Sequence, residues 1–409
     1  MNLDRLFDGT AGSVVKTQPD RITIRRPDDW HVHLRDGDML RSVLPFTAAQ
    51  FARGIIMPNL VPPVTTAAMA AAYRARILAA QPEGSDFKPL MTCYLTDATS
   101  PDEIERGYAE GIWVAAKLYP AGATTNAHHG VTSIVGIAPV LERMERIGMK
   151  LLVHGEATDP SVDIFDREAV FMETELLPLL ARHPGLKVVV EHATTAETLD
   201  IVRANAARAA ATITPHHLVI NRTSIFQGGL RPHLYCLPVA KRERHRLALR
   251  AAATSGEACF FIGTDTAPHP RRNKERECCA AGAFVGAAAL QCYVQVFDEE
   301  GALDRFEAFA SLNGARFYGL PANSGTITLQ RRPCRVPQTV PIDGDEVVAF
   351  RGGEILPWSI EEVRPLRRKI SAAPLRACCS PPEPSESHAS GHLRSPPDGQ
   401  VRSMSIAAS

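Results

Sequence analysis

The stretch Asp28-Asp29-Trp30-His31-Val32-His33-Leu34-Arg35-Asp36 holds the first residues able to do chemistry. Side chains alternate faces along an extended strand, so His31 and His33 share one side, placed as two ligands of one metal ion would be. An isolated His-x-His pair arises often by chance. This one ends an apolar-alternating run through Ile22, Ile24 and Trp30, and polar residues recur at the ends of similar runs downstream: Asn59, Lys117, His154, His192, and Asp265 with His269.

His31, His33, His154, His192, Lys117 and Asp265 are too many ligands for one catalytic zinc, which takes three protein ligands and a water. A pair of ions accounts for all of them. His31, His33 and Asp265 would hold one ion and His154 with His192 the other, with an anionic group as bridge. An unmodified lysine is a cation and cannot bridge. Lys117 fits if its amine, kept neutral by burial and nearby cations, has reacted with carbon dioxide to form a carbamate. A buried lysine–carboxylate pair and a Schiff-base lysine are the alternatives. The ions would share a hydroxide formed at neutral pH. Asp265 beside it could accept the proton and pass it to a leaving nitrogen, which is hydrolysis of an amide-like bond; a purely ligating Asp265 is the competing reading.

Arg35 shares the face of His33 and could bind a substrate carboxylate bidentately, with Asn59 and His269 at neighbouring strand ends sharing the anion. A surface pair of Arg35 with Asp36 or Asp38 is the bland alternative. The small, hydroxyl-rich loop Ala121-Gly122-Ala123-Thr124-Thr125-Asn126 reads as a lid over a ligand or as an ordinary mobile loop. His128, His129, His216, His217 and His233 lack matching partners and read as structural.

The elements that must position these groups are short, β-branched-rich runs alternating with helix-period segments. The runs are Trp30 to Leu34, Gly54 to Leu60, Leu90 to Leu95, Val114 to Tyr119, Leu151 to His154, Val188 to His192, Ala211 to Leu218 and Phe260 to Thr264. Amphipathic stretches lie between them, such as Ser133 to Ile147 and Asp166 to Ala181, and Thr195 opens another as a capping residue. About eight strand-then-helix units close a parallel α/β barrel, whose chemistry sits where the strands end. An open doubly wound sheet competes, but no Gly-x-Gly-x-x-Gly follows the first strand. Ala280 to Phe297 reads as a closing helix and Phe306 to Tyr318 as another. Residues 322 to 358 read as irregular with a weak strand at Glu346 to Phe350. Met1 to Thr17 and the Pro/Ser/Arg-rich Arg364 to Ser409 read as disordered, with His388 and His392 as solvated bystanders.

The 409 residues carry 45 Lys+Arg and 45 Asp+Glu, and this balance argues against a nucleic-acid or membrane partner recognised through bulk charge. No apolar run reaches membrane-spanning length, no signal peptide is read at the N-terminus, and nine cysteines without Cys-x-x-Cys suit a reduced, cytoplasmic protein.

The runs His31-Val32-His33-Leu34-Arg35-Asp36, Met57-Pro58-Asn59, Lys117-Leu118-Tyr119-Pro120, Leu152-Val153-His154-Gly155-Glu156, Arg231-Pro232-His233-Leu234-Tyr235-Cys236 and Gly263-Thr264-Asp265-Thr266-Ala267-Pro268-His269 together resemble the shorter, bacterial type of dihydroorotase in the amidohydrolase superfamily, from about Arg21 to Trp358. The resemblance implies a TIM (β/α)8 barrel over 21–360; the flexible extension (1–20) and the disordered tail (364–409), read from composition, have no counterpart in the family pattern. It implies two zinc ions bridged by carboxylated Lys117, with His31, His33, Lys117, His154, His192 and Asp265 as ligands. It further implies reversible cyclisation of N-carbamoyl-L-aspartate to L-dihydroorotate in pyrimidine biosynthesis, Asp265 as proton shuttle, and Arg35, Asn59 and His269 on the substrate carboxylate. His154 and the backbone at Leu237 and Ala281 would also contact substrate, Thr124 and Thr125 would close over it, and the chain would form a homodimer. The rivals are a related enzyme acting on another cyclic amide, such as a hydantoin, and a silent barrel that has lost ligands.

Overall fold

The computed structural model describes residues 19–364. The disorder expected of Met1 to Thr17 and of the tail, with His388 and His392, falls outside that range; Arg364 itself closes the last strand. An outer strand β1 (Arg21–Arg25) precedes the barrel strands β2 (Asp28–Val32), β3 (Arg53–Ile56), β4 (Lys88–Tyr94), β5 (Trp113–Leu118), β6 (Lys150–Val153), β7 (Val188–Val190), β8 (Ala209–Ile213) and β9 (Phe260–Ile262). β2 to β9 form one eight-stranded sheet whose order follows the chain, with every neighbouring pair parallel. Such strands are covered on both faces, which is why they read as continuous Val/Ile/Leu/Ala runs.

The cylinder closes at its two ends in sequence. The Asp265 amide donates to the His31 carbonyl at 2.9 Å and the His33 amide to the Thr266 carbonyl at 3.0 Å. Asp29 reinforces this seam, accepting from the Thr264 amide at 2.8 Å and the Thr264 hydroxyl at 2.6 Å. Outside the seam, Trp30 stacks on Tyr318 at 4.4 Å. The close approach requires Gly314, where a Cβ would meet the Trp30 ring nitrogen at 2.1 Å.

Four expectations need correction. The run through Ile22 and Ile24 does not continue into the His-x-His strand: β1 pairs antiparallel with β10 (Thr326–Gln330) in a separate sheet. Ala211 to Leu218 is not one strand, because β8 stops at Ile213 and a short helix Pro215–Val219 begins, capped by Thr214. Proline at the first helical position and a threonine before it are helix-start signals. Ala280 to Phe297 is helical only over Ala289–Glu299, with a 3-10 turn before it, while Ala283 forms bridge pairing with Thr266 at the barrel mouth.

The fourth concerns 322–358, which is not irregular. β10, β11 (Cys334–Arg335), β12 (Thr339–Ile342), β13 (Asp345–Val348), β14 (Ile355–Leu356) and β15 (Ser359–Arg364) form small antiparallel sheets, and β1 and β15 flank β10. Thr195 does cap the helix Ala196–Ala204, its hydroxyl accepting from the Thr198 amide. The stretch Ser133 to Ile147 is helical only from Ala138, and Arg167 to Arg182 is helical with a π turn at Met172–Leu176.

Candidate active site

His31 and His33 emerge from the end of β2 on one face, as strand alternation requires, with their Nε2 atoms 3.2 Å apart. Asp265, just past β9, places Oδ1 3.3 Å from His31 Nε2 and 3.2 Å from His33 Nε2. Four-coordinate zinc with ligands at about 2.0–2.1 Å holds neighbouring donor atoms roughly 3.3 Å apart. The triangle has the dimensions of one face of such a site.

The outward-facing nitrogens of this pair are engaged. His31 Nδ1 contacts the Glu191 carboxylate, and His33 Nδ1 bonds Asn59 Oδ1 at 2.8 Å. A ring nitrogen tied to an oxygen acceptor fixes the tautomer and presents the other nitrogen as a lone pair, the usual support of a metal-bound histidine. Beside this group His154 Nδ1 faces His192 Nε2 at 3.2 Å, and His154 Nε2 bonds Glu156 Oε2 at 2.8 Å. His31 and His192 rings lie 5.0 Å apart, so the two groups adjoin.

Lys117, at the end of β5, is fully buried, and its Nζ has no hydrogen-bond partner among the described residues. A buried orphan cation is costly. Burial pushes the ammonium down to about 8 against the opposing pull of Glu191 and Asp265. Burial also pushes His33 down to about 3 and takes His192 well below its ordinary value. Burial would raise Asp265, but His31 and His33 beside it outweigh that and hold it well below the usual carboxylate range. Burial would lower His31, but Glu191 and Asp265 beside it raise it; the set therefore joins an ionised carboxylate to imidazoles of which His33 and His192 favour the neutral form, a combination suited to a cation.

Backbone strain gathers here: Arg35, His192 and Asp265 have φ of +58°, +44° and +45°. Such left-handed non-glycine residues cost on the order of 1–3 kcal/mol each and cluster at functional sites. Arg35 extends from this turn with Nη2 3.1 Å from His269 Nε2 and Nε donating to the Pro268 carbonyl at 3.1 Å. Thr125 reaches across, its hydroxyl 3.2 Å from both the amide and the carbonyl of Ala281. One cavity is lined by His31, His33, Arg35, Asn59, Thr124, Thr125, His154, His192, Leu237, Asp265 and Ala281. Its free volume is about 20 Å³, room for roughly one water. With the 121–126 loop in this position the site is closed.

His269 contacts Arg35 and the Ala281 carbonyl without lining the cavity, and buried Lys117 does not line it either. Of the histidines read as structural, His216 and His217 are buried, and with Cys236 they offer three donor atoms within 4.8 Å of one another. His217 uses both ring nitrogens, on the Thr214 hydroxyl at 2.8 Å and the Pro238 carbonyl at 3.0 Å, whereas neither ring nitrogen of buried His216 has a hydrogen-bond partner among the described residues. Sequence reasoning missed Glu191, Glu156 and Asp29. Glu191 directly precedes His192, and the period-two rule sends neighbours to opposite faces. The left-handed turn at His192 breaks that alternation and turns both side chains into the site.

Comparison with known proteins agrees with this geometry. The amidohydrolase family model matches residues 28–337. A dihydroorotase of Novosphingobium aromaticivorans is 61% identical over 339 residues, covering 83% of this chain and 98% of that relative. Among solved structures, dihydroorotase from Campylobacter jejuni is 34% identical with TM-score 0.77, covering 84% of this chain and 98% of its own. That of Saccharomyces cerevisiae, in complex with 5-fluoroorotic acid, is 30% identical with TM-score 0.79, covering 85% of this chain and all of its own. The chain belongs to the amidohydrolase family, and within it to the dihydroorotases.

Proposed function

We propose that the protein is a zinc-dependent enzyme that interconverts N-carbamoyl-L-aspartate and L-dihydroorotate in pyrimidine biosynthesis. The observation that carries this reading is the convergence of Asp265 Oδ1 with the Nε2 atoms of His31 and His33, beside the facing His154 and His192 nitrogens. The family is metal-dependent, and the unpartnered Lys117 Nζ together with four imidazoles gathered beside Asp265 suits a metal pair. His31, His33 and Asp265 would hold one ion, His154 and His192 the other, with Lys117 as a carbamate between them. When bound, the ions supply Lewis acidity and water activation at neutral pH.

The chain's own residues do the rest. Ionised Asp265 accepts a proton from the attacking water and returns it to the ring nitrogen as the C–N bond breaks, so the proton balance closes within one side chain. Glu191, Glu156 and Asn59 fix the tautomers of His31, His154 and His33. Arg35, with His269 and the Asn59 amide, supplies donors for the substrate carboxylate, and His154 and the Leu237 and Ala281 backbones border the ring. Since the cavity is closed, Thr124 and Thr125 must withdraw to admit substrate and return to exclude water.

The proposal also includes a single catalytic domain over 21–360 and a cytoplasmic homodimer. Support for the compartment is that each cysteine among the described residues is free. No described helix is long and apolar enough to cross a membrane.

A hydantoin-directed enzyme would not need the carboxylate clamp. Steady-state kinetics of Arg35→Ala decide this: kcat/KM for dihydroorotate falls on the order of a hundredfold if the guanidinium binds the carboxylate. Unchanged turnover of dihydroorotate, or faster hydrolysis of hydantoin by the parent protein, would overturn the assignment.

A further inference from the structure

Lys274 is a buried cation outside the metal-ligand set. It ends the short helix Arg271–Lys274 and is only 3% exposed. Among the described residues no carboxylate lies within ion-pair distance of it. Its ammonium instead donates to three backbone carbonyls, those of Tyr235 at 2.8 Å, Ala280 at 2.8 Å and Gly282 at 2.7 Å. An ammonium has three donors and no acceptor, so each is used and each bond is charge-assisted. Burying an ion without a counter-ion is tolerated only where such dipoles replace its hydration.

These three carbonyls belong to two segments. Tyr235 stands two residues before Leu237, and Ala280 and Gly282 flank Ala281; Leu237 and Ala281 both line the closed cavity. A direct bond from the Gly282 amide to the Tyr235 carbonyl at 3.1 Å runs alongside the lysine. The second segment packs so closely on Ala267 that a Cβ at Gly282 would meet the Ala267 carbonyl at 2.7 Å. Ala281 in turn receives the lid residue Thr125 and His269. One ammonium therefore fixes the separation of two walls and the landing point of the lid.

We propose that Lys274 is a positioning residue that holds the Tyr235–Leu237 and Ala280–Gly282 segments at the spacing that grips the substrate ring. This deepens the reading given above, since it rests on Leu237 and Ala281 bordering the ring. Lys274 touches none of the six metal-ligand candidates, so its loss acts on binding and closure and leaves metal assembly intact.

The test is Lys274→Met, which keeps most of the side-chain length and removes all three donors, compared with the parent protein for dihydroorotate kinetics and metal content. The expected result is a KM raised about tenfold or more, kcat changed by less than about threefold, and unaltered metal per chain. A KM within about twofold of the parent, or parallel loss of kcat and metal, overturns the proposal. Lys274→Gln, which removes the charge and leaves two amide N–H donors on a shorter side chain, is read in the same way if the methionine variant does not fold. Failure of both to fold overturns it too, because the lysine would then serve global stability. A parent protein unable to turn over dihydroorotate sinks the functional reading; an active parent with an unmoved KM in the variant sinks only the role of Lys274.

Discussion

At the scale of single residues, the site works through pairs in which an oxygen acceptor holds one nitrogen of an imidazole so that the other faces inward. Glu191 is buried and touches His31. Glu191→Gln keeps the shape and removes the charge, so metal affinity should fall about 10–100-fold, the range typical of such outer partners. Competition with a chelator reads this directly, and an unaltered affinity would show that the carboxylate only fills space. His31, His33, His154, His192, Lys117 and Asp265 were legible because each ends an apolar run, and a closed barrel brings run ends together. The supports were not, because a carboxylate beside a histidine is ordinary in sequence and only the backbone turn at His192 brings Glu191 inward.

At the scale of elements, the seam where the first and last barrel strands meet sets the histidine pair against Asp265. Gly263 sits in that seam, where a Cβ would meet Thr212 at 2.7 Å and the His31 Cβ at 3.2 Å. Both neighbours are buried and β-branched or ring-bearing, so neither yields cheaply. Gly263→Ala should lower stability by about 1–3 kcal/mol and reduce bound metal by displacing His31. Urea unfolding with metal analysis checks both, and a stable, fully metallated variant would contradict the packing argument. The strands were readable because burial on both faces gives unbroken apolar runs. The small sheets after Ala322 were not, since β11 and β14 are two residues long and Arg331 to Gln338 is rich in Arg and Pro. Ala280 to Val285 misled differently: its small apolar residues suit a helix, yet they are wanted where a backbone must come close to the mouth.

At the scale of the whole molecule, the buried imidazoles make stability depend on pH. His33 and His216 are pushed by burial to about 3 and about 4, while in the unfolded chain both titrate near 6.5. Between those values the unfolded chain binds more protons, so stability rises with pH and is lost as pH falls from about 6.5 towards 4. Asp29, raised to about 7 by burial, acts in the opposite direction and offsets part of this. The metal-free protein should therefore show a melting temperature that drops between pH 7 and pH 4, and bound metal should widen the gap at neutral pH, since the cation binds only the folded, deprotonated site. A flat profile in the metal-free protein would mean that the histidines are more hydrated than the fold places them.

The central claim is that groups from distant strand ends hold a cation pair through Lys117 and open a cyclic amide with it. Metal content and dihydroorotate turnover, measured together on the parent protein and on Lys117→Ala, test it most directly. The account predicts two zinc ions per parent chain with ring opening to N-carbamoyl-aspartate, and in the variant loss of both, with partial recovery on adding a short carboxylic acid. Two zinc ions retained by Lys117→Ala, or a fully metallated parent that leaves dihydroorotate untouched, would contradict it.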